Sequence, residues 1–159
     1  MAPDIFAKIG SIKGESLDAK HKDEVEVLSW SWGVSQTGGT GPGGAGGTGK
    51  ASFTDFHLTH QIDKASPLLM AACATGAHIT DATITARKAG KGQQEFLIIR
   101  MNDILITSVQ PSLSDGQVGA ESVSLQPAKV DLEYRPQKPD GSLDAGVHFK
   151  YDIKLNKEG

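Results

Sequence analysis

The feature that most limits what this chain can fold into is a glycine-rich tract, TGGTGPGGAGGTGK, which holds eight glycines in the twelve residues 38 to 49. Glycine gives up more backbone freedom on ordering than any other residue, and loops of this length are uncommon inside compact domains. The tract lies between two segments patterned like strands. It therefore predicts a long, exposed loop over residues 37–50 that is either disordered or ordered against a partner.

The same tract imitates a phosphate-binding loop. Gly44, Gly49 and Lys50 match the pattern G-x-x-x-x-G-K, but Ala51 stands where a hydroxyl residue would hold magnesium. A phosphate-binding loop also leads into a helix, whereas the residues after Lys50 are patterned as a strand. We therefore reject a nucleotide site.

Length and composition favour a single domain over residues 1–159. The chain is 38% hydrophobic, enough for one buried core. Its formal net charge of -3, without a run of Lys or Arg, lacks the electrostatic footprint of nucleic-acid binding, so we expect no nucleic-acid partner. A lone cysteine, Cys73, excludes an intrachain disulfide and allows folding in a reducing cytoplasm.

The first residues do not resemble an export signal. Asp4, Lys8 and Gly10 interrupt the positions where a signal peptide would carry a continuous apolar run. The longest strongly apolar stretch, 96–99, is far shorter than the roughly 20 residues that span a bilayer. We expect a soluble protein that is made in the cytoplasm, carries no cleavable signal peptide and does not insert into a membrane.

Alternation of apolar and polar residues predicts strands in most of the remaining chain, most clearly over 147–155 and also around 82–87 and 130–135. Near Val27 the apolar positions change from odd to even numbers, which predicts a β-bulge and places Leu28, Trp30, Trp32 and Val34 on the buried face. A second change brackets Pro127, which cannot donate to a ladder, so we expect a bend or bulge there.

One helix is predicted at about residues 67–75. Ser66 suits the N-cap, Pro67 the first helical position, and Gly76 a left-handed residue at the C-terminal end. The run 96–99 is apolar on both faces, so its second face should meet this helix or a neighbouring subunit. About eight strands and one helix imply a mainly β fold, either a closed barrel or a sandwich.

Four segments carry a resemblance that covers nearly the whole chain: FAKIGSIKGES, LSWSWGVSQ, KASPLLMAACATGAHITDATITARKAG and YRPQKPDG. In this order they resemble haemolysin-coregulated protein, a family of tube subunits of the bacterial type VI secretion system. The resemblance implies a closed β-barrel of two sheets with a flanking helix. It also implies six copies closing into a ring and rings stacking into a hollow tube, with a contractile sheath around the tube, a spike protein at its tip and small effectors inside. Such a machine would expel the chain to the extracellular space or a target cell.

Two sets of residues are predicted to serve such a tube. Ser29 and Ser31 alternate with the tryptophans, so they could face the lumen and its cargo, although small polar residues are also common on a merely solvated strand face. The glycine tract could order against the next ring. The predicted ring-stacking residues are Gly38, Gly39, Thr40, Gly41, Pro42, Gly43, Gly44, Ala45, Gly46, Gly47, Thr48, Gly49 and Lys50.

No catalytic or metal-binding constellation is visible, and we predict neither an enzyme nor a cofactor. His57 and His60 should point to opposite faces of a strand, which prevents joint chelation of one metal. We expect His60 to be a hydrogen-bonded core or interface histidine and Cys73 a small buried hydrophobe. The alternative function is a ligand- or carbohydrate-binding β-barrel, with the glycine loop gating a site and the tryptophans stacking on a sugar.

Overall fold

A computed structural model describes residues 4–38, 50–88, 90 and 92–159 of the chain. This part contains ten strands and one helix: β1 (Ile5–Ile9), β2 (Val25–Ser31), β3 (Val34–Gln36), β4 (Ala51–Phe53), β5 (Phe56–Gln61), α1 (Ser66–Thr75), β6 (His78–Arg87), β7 (Glu95–Ser112), β8 (Ala120–Tyr134), β9 (Val147–Asp152) and β10 (Lys157–Glu158).

Six antiparallel strands close into a barrel in the order β8-β5-β2-β1-β6-β7, and the ladder between β7 and β8 completes the circle. Strands β9 and β10 extend the sheet from β8, and β3 pairs with β4 in a separate hairpin. Closure removes most of the unpaired edges that an open sheet would expose. The predicted closed β-barrel with one flanking helix is confirmed.

The two longest strands each belong to two parts of the barrel. Strand β7 pairs with β6 over residues 95–105 and with β8 along its length. Strand β8 pairs with β5 over residues 120–125 and with β9 over residues 129–134. We call β2, β5, residues 106–112 of β7 and residues 120–125 of β8 the serine sheet. The charged sheet comprises β6, β9, residues 95–105 of β7 and residues 129–134 of β8.

The core lies between these two sheets, where the inward residues of every barrel strand meet. It is made chiefly of aliphatic side chains, and Phe56 stacks on Trp30 at a ring-centroid distance of 5.4 Å. The fully buried large residues of the barrel include Phe56, Leu58, Ile84, Ile99, Met101, Ile104, Ile106 and Leu125.

Helix α1 lies where the sequence predicts it, but its N-terminal cap differs. Ala65 rather than Ser66 is the capping residue, and it makes no side-chain cap. Ser66 is buried instead, and its hydroxyl accepts a hydrogen bond from the Asp63 amide. At the other end, Gly76 adopts the predicted left-handed conformation, with a φ of 67°. The helix packs against β7 and places Leu69 in the core.

The predicted bulge near Val27 is confirmed by a register shift between Val27 and Ser29. The extra residue is Leu28, and its side chain is 55% exposed, so the prediction that Leu28 shares the buried face is wrong. The same prediction is wrong for Val34, which is 56% exposed on the separate strand β3. A bulge residue has no partner of its own in the ladder, which frees Leu28 to point outward.

Of the predicted bend or bulge at Pro127, the bulge is absent, since Pro127 pairs with Ile104 in an unshifted register. The irregularity lies instead on the partner strand, between Ile106 and Ser108. Pro127 stands between the residues of β8 that pair with β5 and those that pair with β9. Its missing amide hydrogen is tolerated there because β8 changes neighbours.

The C-terminal strand is shorter than the alternation predicts. It ends at Asp152, and the described chain turns before β10. Val147 and Leu155, at the two ends of the alternating run, are both exposed. In the run 96–99, Ile98 and Ile99 are both buried within the single chain, so the covering of this run does not depend on a neighbouring subunit.

Candidate lumen face and subunit edges

The outward side of the serine sheet is a grid of small uncharged residues, which we call the polar face. Cross-strand pairing aligns Ser31 with His57, His57 with Ser124, and Ser124 with Ser108. The neighbouring row runs from Ser29 through Thr59 and Ser122 to Gln110. The full polar face is Ser29, Ser31, His57, Thr59, Gln61, Ser108, Gln110, Ser112, Ala120, Ser122 and Ser124.

Hydrogen bonds within the polar face join its strands. The Ser29 and Thr59 hydroxyls lie 2.6 Å apart, and His57 Nδ1 lies 2.7 Å from the Ser124 hydroxyl. Ser29 and Ser31 are both exposed, as the alternation predicts. Because nearly all these groups are neutral, a protein could contact the face without removing a full charge from water, which costs far more than desolvating a hydroxyl.

The tryptophans lie on the other side of β2, where they are half-buried. Trp30 stacks on Phe56, and Trp32 stacks on Phe53 at 5.7 Å between ring centroids. Phe53 continues the aromatic cluster toward Tyr151 at 5.1 Å. One face of each indole ring is therefore engaged by a neighbouring phenylalanine.

The serine sheet has an edge on each side that is unpaired within the described residues. On one side, β1 pairs with β2 only at Glu26 and Val25, so residues 28–31 of β2 lie beyond that ladder. On the other side, β6 pairs with β7 only as far as Leu105, so residues 106–112 lie beyond it. Pro111 occupies this second edge, where a residue without an amide hydrogen is best tolerated.

A groove of about 780 Å³ lies where β1 and β2 diverge, next to the β2 edge. Its polar lining includes four carboxylates and its apolar lining includes exposed Leu17 and Leu28. Burial raises the pKa of the Asp63 carboxyl above its ordinary value. We call this feature the acidic groove; its lining residues are Asp4, Ile5, Glu15, Leu17, Glu26, Val27, Leu28, Gln61, Ile62 and Asp63.

Helix α1, which packs against β7, presents an uncharged outer surface. Its sequence, SPLLMAACAT, contains no Lys, Arg, Asp or Glu, yet Leu68 and Met70 are exposed. A helix that is apolar all round is normally covered on all sides. This surface is therefore a candidate contact for another protein chain.

Hydrogen bonds of Thr37 hold the two ends of the glycine tract together. Its hydroxyl accepts from the Lys50 amide at 3.3 Å and donates to the Lys50 carbonyl at 3.4 Å. Gly38 and Lys50, the described ends of the predicted stacking loop, are exposed. The predicted stacking residues 39–49 lie outside the described residues.

The histidines of β5 lie on opposite faces, as predicted. His57 is exposed, whereas His60 is 0% exposed and its Nε2 lies 2.8 Å from a Glu121 carboxylate oxygen. His60 is therefore a hydrogen-bonded core residue. Cys73 is half-buried and packs against the core.

The structure adds residues to the polar face that the sequence analysis missed. His57, Ser122, Ser124 and Gln110 join Ser29 and Ser31 on one surface. The alternation S-x-S in β2 recurs in the segment ESVSLQ, and SVQPS likewise has an uncharged polar residue at every second position, so these patterns could have pointed to them. Alternation alone does not reveal which strands lie side by side.

The described ranges 4–38, 50–88, 90 and 92–159 contain no group of three or more His, Cys, Asp or Glu side chains placed to hold a metal ion. No helix in the same ranges has both the length and the apolar character needed to cross a membrane.

Known proteins match this chain both in fold and in length. The family model described as type VI secretion system effector, Hcp, matches residues 6–134. Protein hcp1 of Pseudomonas aeruginosa is 46% identical over 159 residues, covering 98% of each chain. Among solved structures, Hcp1 from Salmonella typhimurium is 39% identical with a TM-score of 0.82 and full coverage of both chains. Another type six secretion system protein is 26% identical with a TM-score of 0.91, covering 99% of this chain and 100% of its own. From the family match and these full-length relatives it follows that the chain belongs to the Hcp family of type VI secretion system proteins.

Proposed function

We propose that the chain is a tube subunit, six copies of which close into a ring that stacks into a hollow tube. The observation that carries the proposal is the serine sheet, whose two unpaired edges flank a neutral polar face. The number six comes from the resemblance. Strand direction supports the ring closure, the polar face supports the lumen, and the glycine tract supports the stacking.

Ring closure follows from the direction of the strands. Successive strands of the serine sheet are antiparallel, so its two edge strands, β2 and β7, run in opposite directions. If all copies share one orientation, β7 of one copy and β2 of the next would again be antiparallel. Edge-to-edge pairing between unlike edges is a head-to-tail contact, which closes into a ring when the rotation fits.

Apolar surface flanks both edges and supports the same contact. Leu17 and Leu28 are exposed in the acidic groove beside β2, and Leu68 and Met70 are exposed on α1, which packs against β7. Lateral association would remove this apolar surface from water, which is favourable in proportion to its area.

The polar face would then line the lumen. Ser29 and Ser31 would meet cargo, together with His57 and Ser122. Hydroxyl and amide groups can bond to many protein surfaces through direct or water-mediated contacts. Such a lining suits a subunit that carries small effectors of differing sequence.

We assign stacking between rings to the glycine tract, Gly38 to Lys50. The tract joins β3 and β4, and its two described ends are exposed. Deleting residues 39–47 should spare the barrel, because this segment lies outside the core strands, but should abolish tube growth and secretion. Intact tubes from the shortened chain, seen by negative-stain electron microscopy, would contradict the assignment.

The remaining partners follow from the resemblance: a spike protein at the tip of the tube, a contractile sheath around it and small effectors within it. In this role the chain has a structural task and no catalytic one. It would leave the cell through the secretion machine itself rather than through a cleavable signal peptide.

Leu28→Glu tests the lateral contact directly. It places a charge at the β2 edge, on a side chain that is already 55% exposed, so the subunit should fold but no longer form rings. Leu155→Glu is the matched control, because Leu155 is 62% exposed and lies outside both edges. Light scattering should report a ring mass for the wild type and the control and a monomer mass for Leu28→Glu. Rings of unchanged mass from Leu28→Glu would refute the lateral contact.

A further inference from the structure

Residues 14–24 form a compact loop that crosses the outside of the barrel between β1 and β2, and we call this segment the strap. Its own backbone hydrogen bonds fold it: the Gly14 amide donates to the Asp23 carbonyl at 2.8 Å, and the Ser16 amide donates to the Glu24 carbonyl at 3.0 Å. Gly14 has no room for a side chain, since an added Cβ would lie 2.6 Å from the Glu24 carbonyl oxygen. The strap therefore has a defined shape even though it contains no helix.

One histidine fixes the strap to the barrel. His21 lies with Nδ1 2.9 Å from a Glu24 carboxylate oxygen and Nε2 2.9 Å from a Glu95 carboxylate oxygen. Its ring stacks on Phe6 of β1 at 4.6 Å between centroids and 7° between planes. Only 8% of the His21 side chain is exposed. The contacts join the strap to both β1 and β7.

A second ion pair lies beside the first. Arg87 of β6 binds both carboxylate oxygens of Asp18, at 2.9 and 3.0 Å, and its guanidinium lies 4.7 Å from the centre of the Phe6 ring. The Arg87 guanidinium holds the pKa of the Asp18 carboxyl below its ordinary value. This pair keeps its charges across the neutral range, so it anchors the strap independently of His21.

A doubly protonated His21 would satisfy both carboxylates. A carboxylate only accepts hydrogen bonds, so each ring nitrogen that faces one must donate. Both nitrogens donate only in the imidazolium form. In neutral imidazole one nitrogen lone pair would face a carboxylate oxygen, and at a nearly buried position water can do little to screen that repulsion. The other charged groups around this contact are Asp18, Arg87 and Arg135, whose charge interacts with Glu95.

The strap also borders the acidic groove. Glu15 and Leu17 of the strap form one wall of the groove, and Leu28 of the β2 edge forms another part of its lining. Movement of the strap would therefore change the surface next to the edge that we assign to ring closure.

We propose that His21 is a proton-dependent latch that holds the strap closed and thereby regulates the lateral contact between copies. With His21 doubly protonated, both carboxylates are paired and the groove wall is fixed. Loss of one proton breaks a charge-assisted hydrogen bond and loosens the part of the strap around His21, while the Arg87–Asp18 ion pair and the hydrogen bond from the Lys64 amide to Glu15 remain. The regulatory half of this inference rests on the proposed ring contact, whereas the latch itself depends only on the single chain.

The latch is tested first by nuclear magnetic resonance of the imidazole nitrogens at pH 6. Two protonated nitrogens on His21, each correlated with its carboxylate neighbour, are expected, and a single neutral tautomer would overturn the latch. Hydrogen exchange then follows the strap amides at pH 6 and pH 9, normalised to an unfolded peptide of the same sequence. Wild-type strap amides should lose about tenfold or more of their protection at pH 9.

His21→Phe keeps an aromatic ring to stack on Phe6 but removes both hydrogen bonds. Its strap should be poorly protected at both pH values, and wild-type protection would overturn the latch. Glu95→Gln provides a second variant should the first fail to fold, and it should lower protection at pH 6. His78→Phe is the control, because His78 is exposed and pairs with Asp103 away from the strap; it should match the wild type.

Light scattering on the same samples separates the two halves of the inference. If the ring mass and the strap protection fall together as the pH rises, the latch regulates the lateral contact between copies. A constant ring mass while the strap opens overturns the regulation. A monomer mass at every pH overturns the proposed ring, and with it the regulation, while the exchange data still decide the latch.

Discussion

The serine sheet and the charged sheet share two strands but present opposite chemistry. Along β8, Ser122 is exposed and Ser124 is buried beside it on the same face, whereas Asp131 is half-buried and Glu133 is buried in the second half of the strand. Along β7, Gln110 belongs to the first surface and Arg100 to the second. One pair of strands thus contributes both a neutral face and an ionic face.

The charged side chains form a linked network across β7, β8 and β9. Arg100 Nη1 lies 3.0 Å from Glu133, Arg135 Nε lies 2.9 Å from the other oxygen of Glu133, and His148 Nδ1 lies 2.8 Å from Asp131. The opposite charges of the two arginines and the carboxylates satisfy one another within one chain, and His148 adds a hydrogen bond to Asp131. The polar face, by contrast, keeps hydroxyl groups that can form hydrogen bonds with a partner. The charged sheet therefore stabilises the subunit, whereas the polar face can contact other molecules.

The largest expected effect comes from removing the core layer that the two sheets share. Leu125→Ala deletes a side chain that is 0% exposed and should lower the free energy of unfolding by about 2–5 kcal/mol. Urea unfolding followed by circular dichroism measures the change. Leu155→Ala, at an exposed position, should stay within about 0.5 kcal/mol of the wild type. Equal losses from the two variants would contradict the assigned core.

The charged sheet should respond to pH through Glu133. Hydrogen bonds from Arg135 and Arg100 lower the pKa of the Glu133 carboxyl from 4.5 to about 2. Because the folded-state pKa is depressed, this contribution to stability is fully present above pH 4.5 and is lost as the pH falls toward 2. Glu133→Gln should lower the free energy of unfolding by about 1–3 kcal/mol at pH 7.

The difference between Glu133→Gln and the wild type should shrink steadily in urea melts below pH 4.5 and disappear near pH 2. A difference that stays constant across this range would show that the carboxylate charge does not carry the effect.

The smallest effect on stability is expected on the polar face. Ser31→Lys places a long charged side chain on an exposed position, so the free energy of unfolding should change by less than about 0.5 kcal/mol. Retention of small effectors during co-purification should nevertheless fall about tenfold, because the neutral lining is lost. Ser35→Lys, on the exposed strand β3, is the matched control. Unaltered retention by Ser31→Lys would favour a merely solvated face over a cargo contact.

Local pattern predicted much of the fold. The helix, its left-handed Gly76 and the bulge after Val27 all follow from residue chemistry within a few positions. The errors share a different cause. Alternation predicts the wrong face for Leu28 and a bulge at Pro127 that is absent, because periodicity does not show which strand lies alongside, and β8 changes its neighbour at Pro127. The polar face required the register of four strands from separate parts of the chain, so only Ser29 and Ser31 could be named in advance.

The hydrogen bonds between Thr37 and Lys50 have a practical consequence for engineering. They fix the two ends of the glycine tract at the base of the β3–β4 hairpin, so the hairpin register does not depend on how many residues lie between them. The entropy of closing such a segment grows slowly, by about 0.6 kcal/mol for each doubling in length. A peptide tag or a small recognition sequence inserted between Gly38 and Lys50 should therefore leave the barrel intact. This position is thus a suitable insertion site for added sequences.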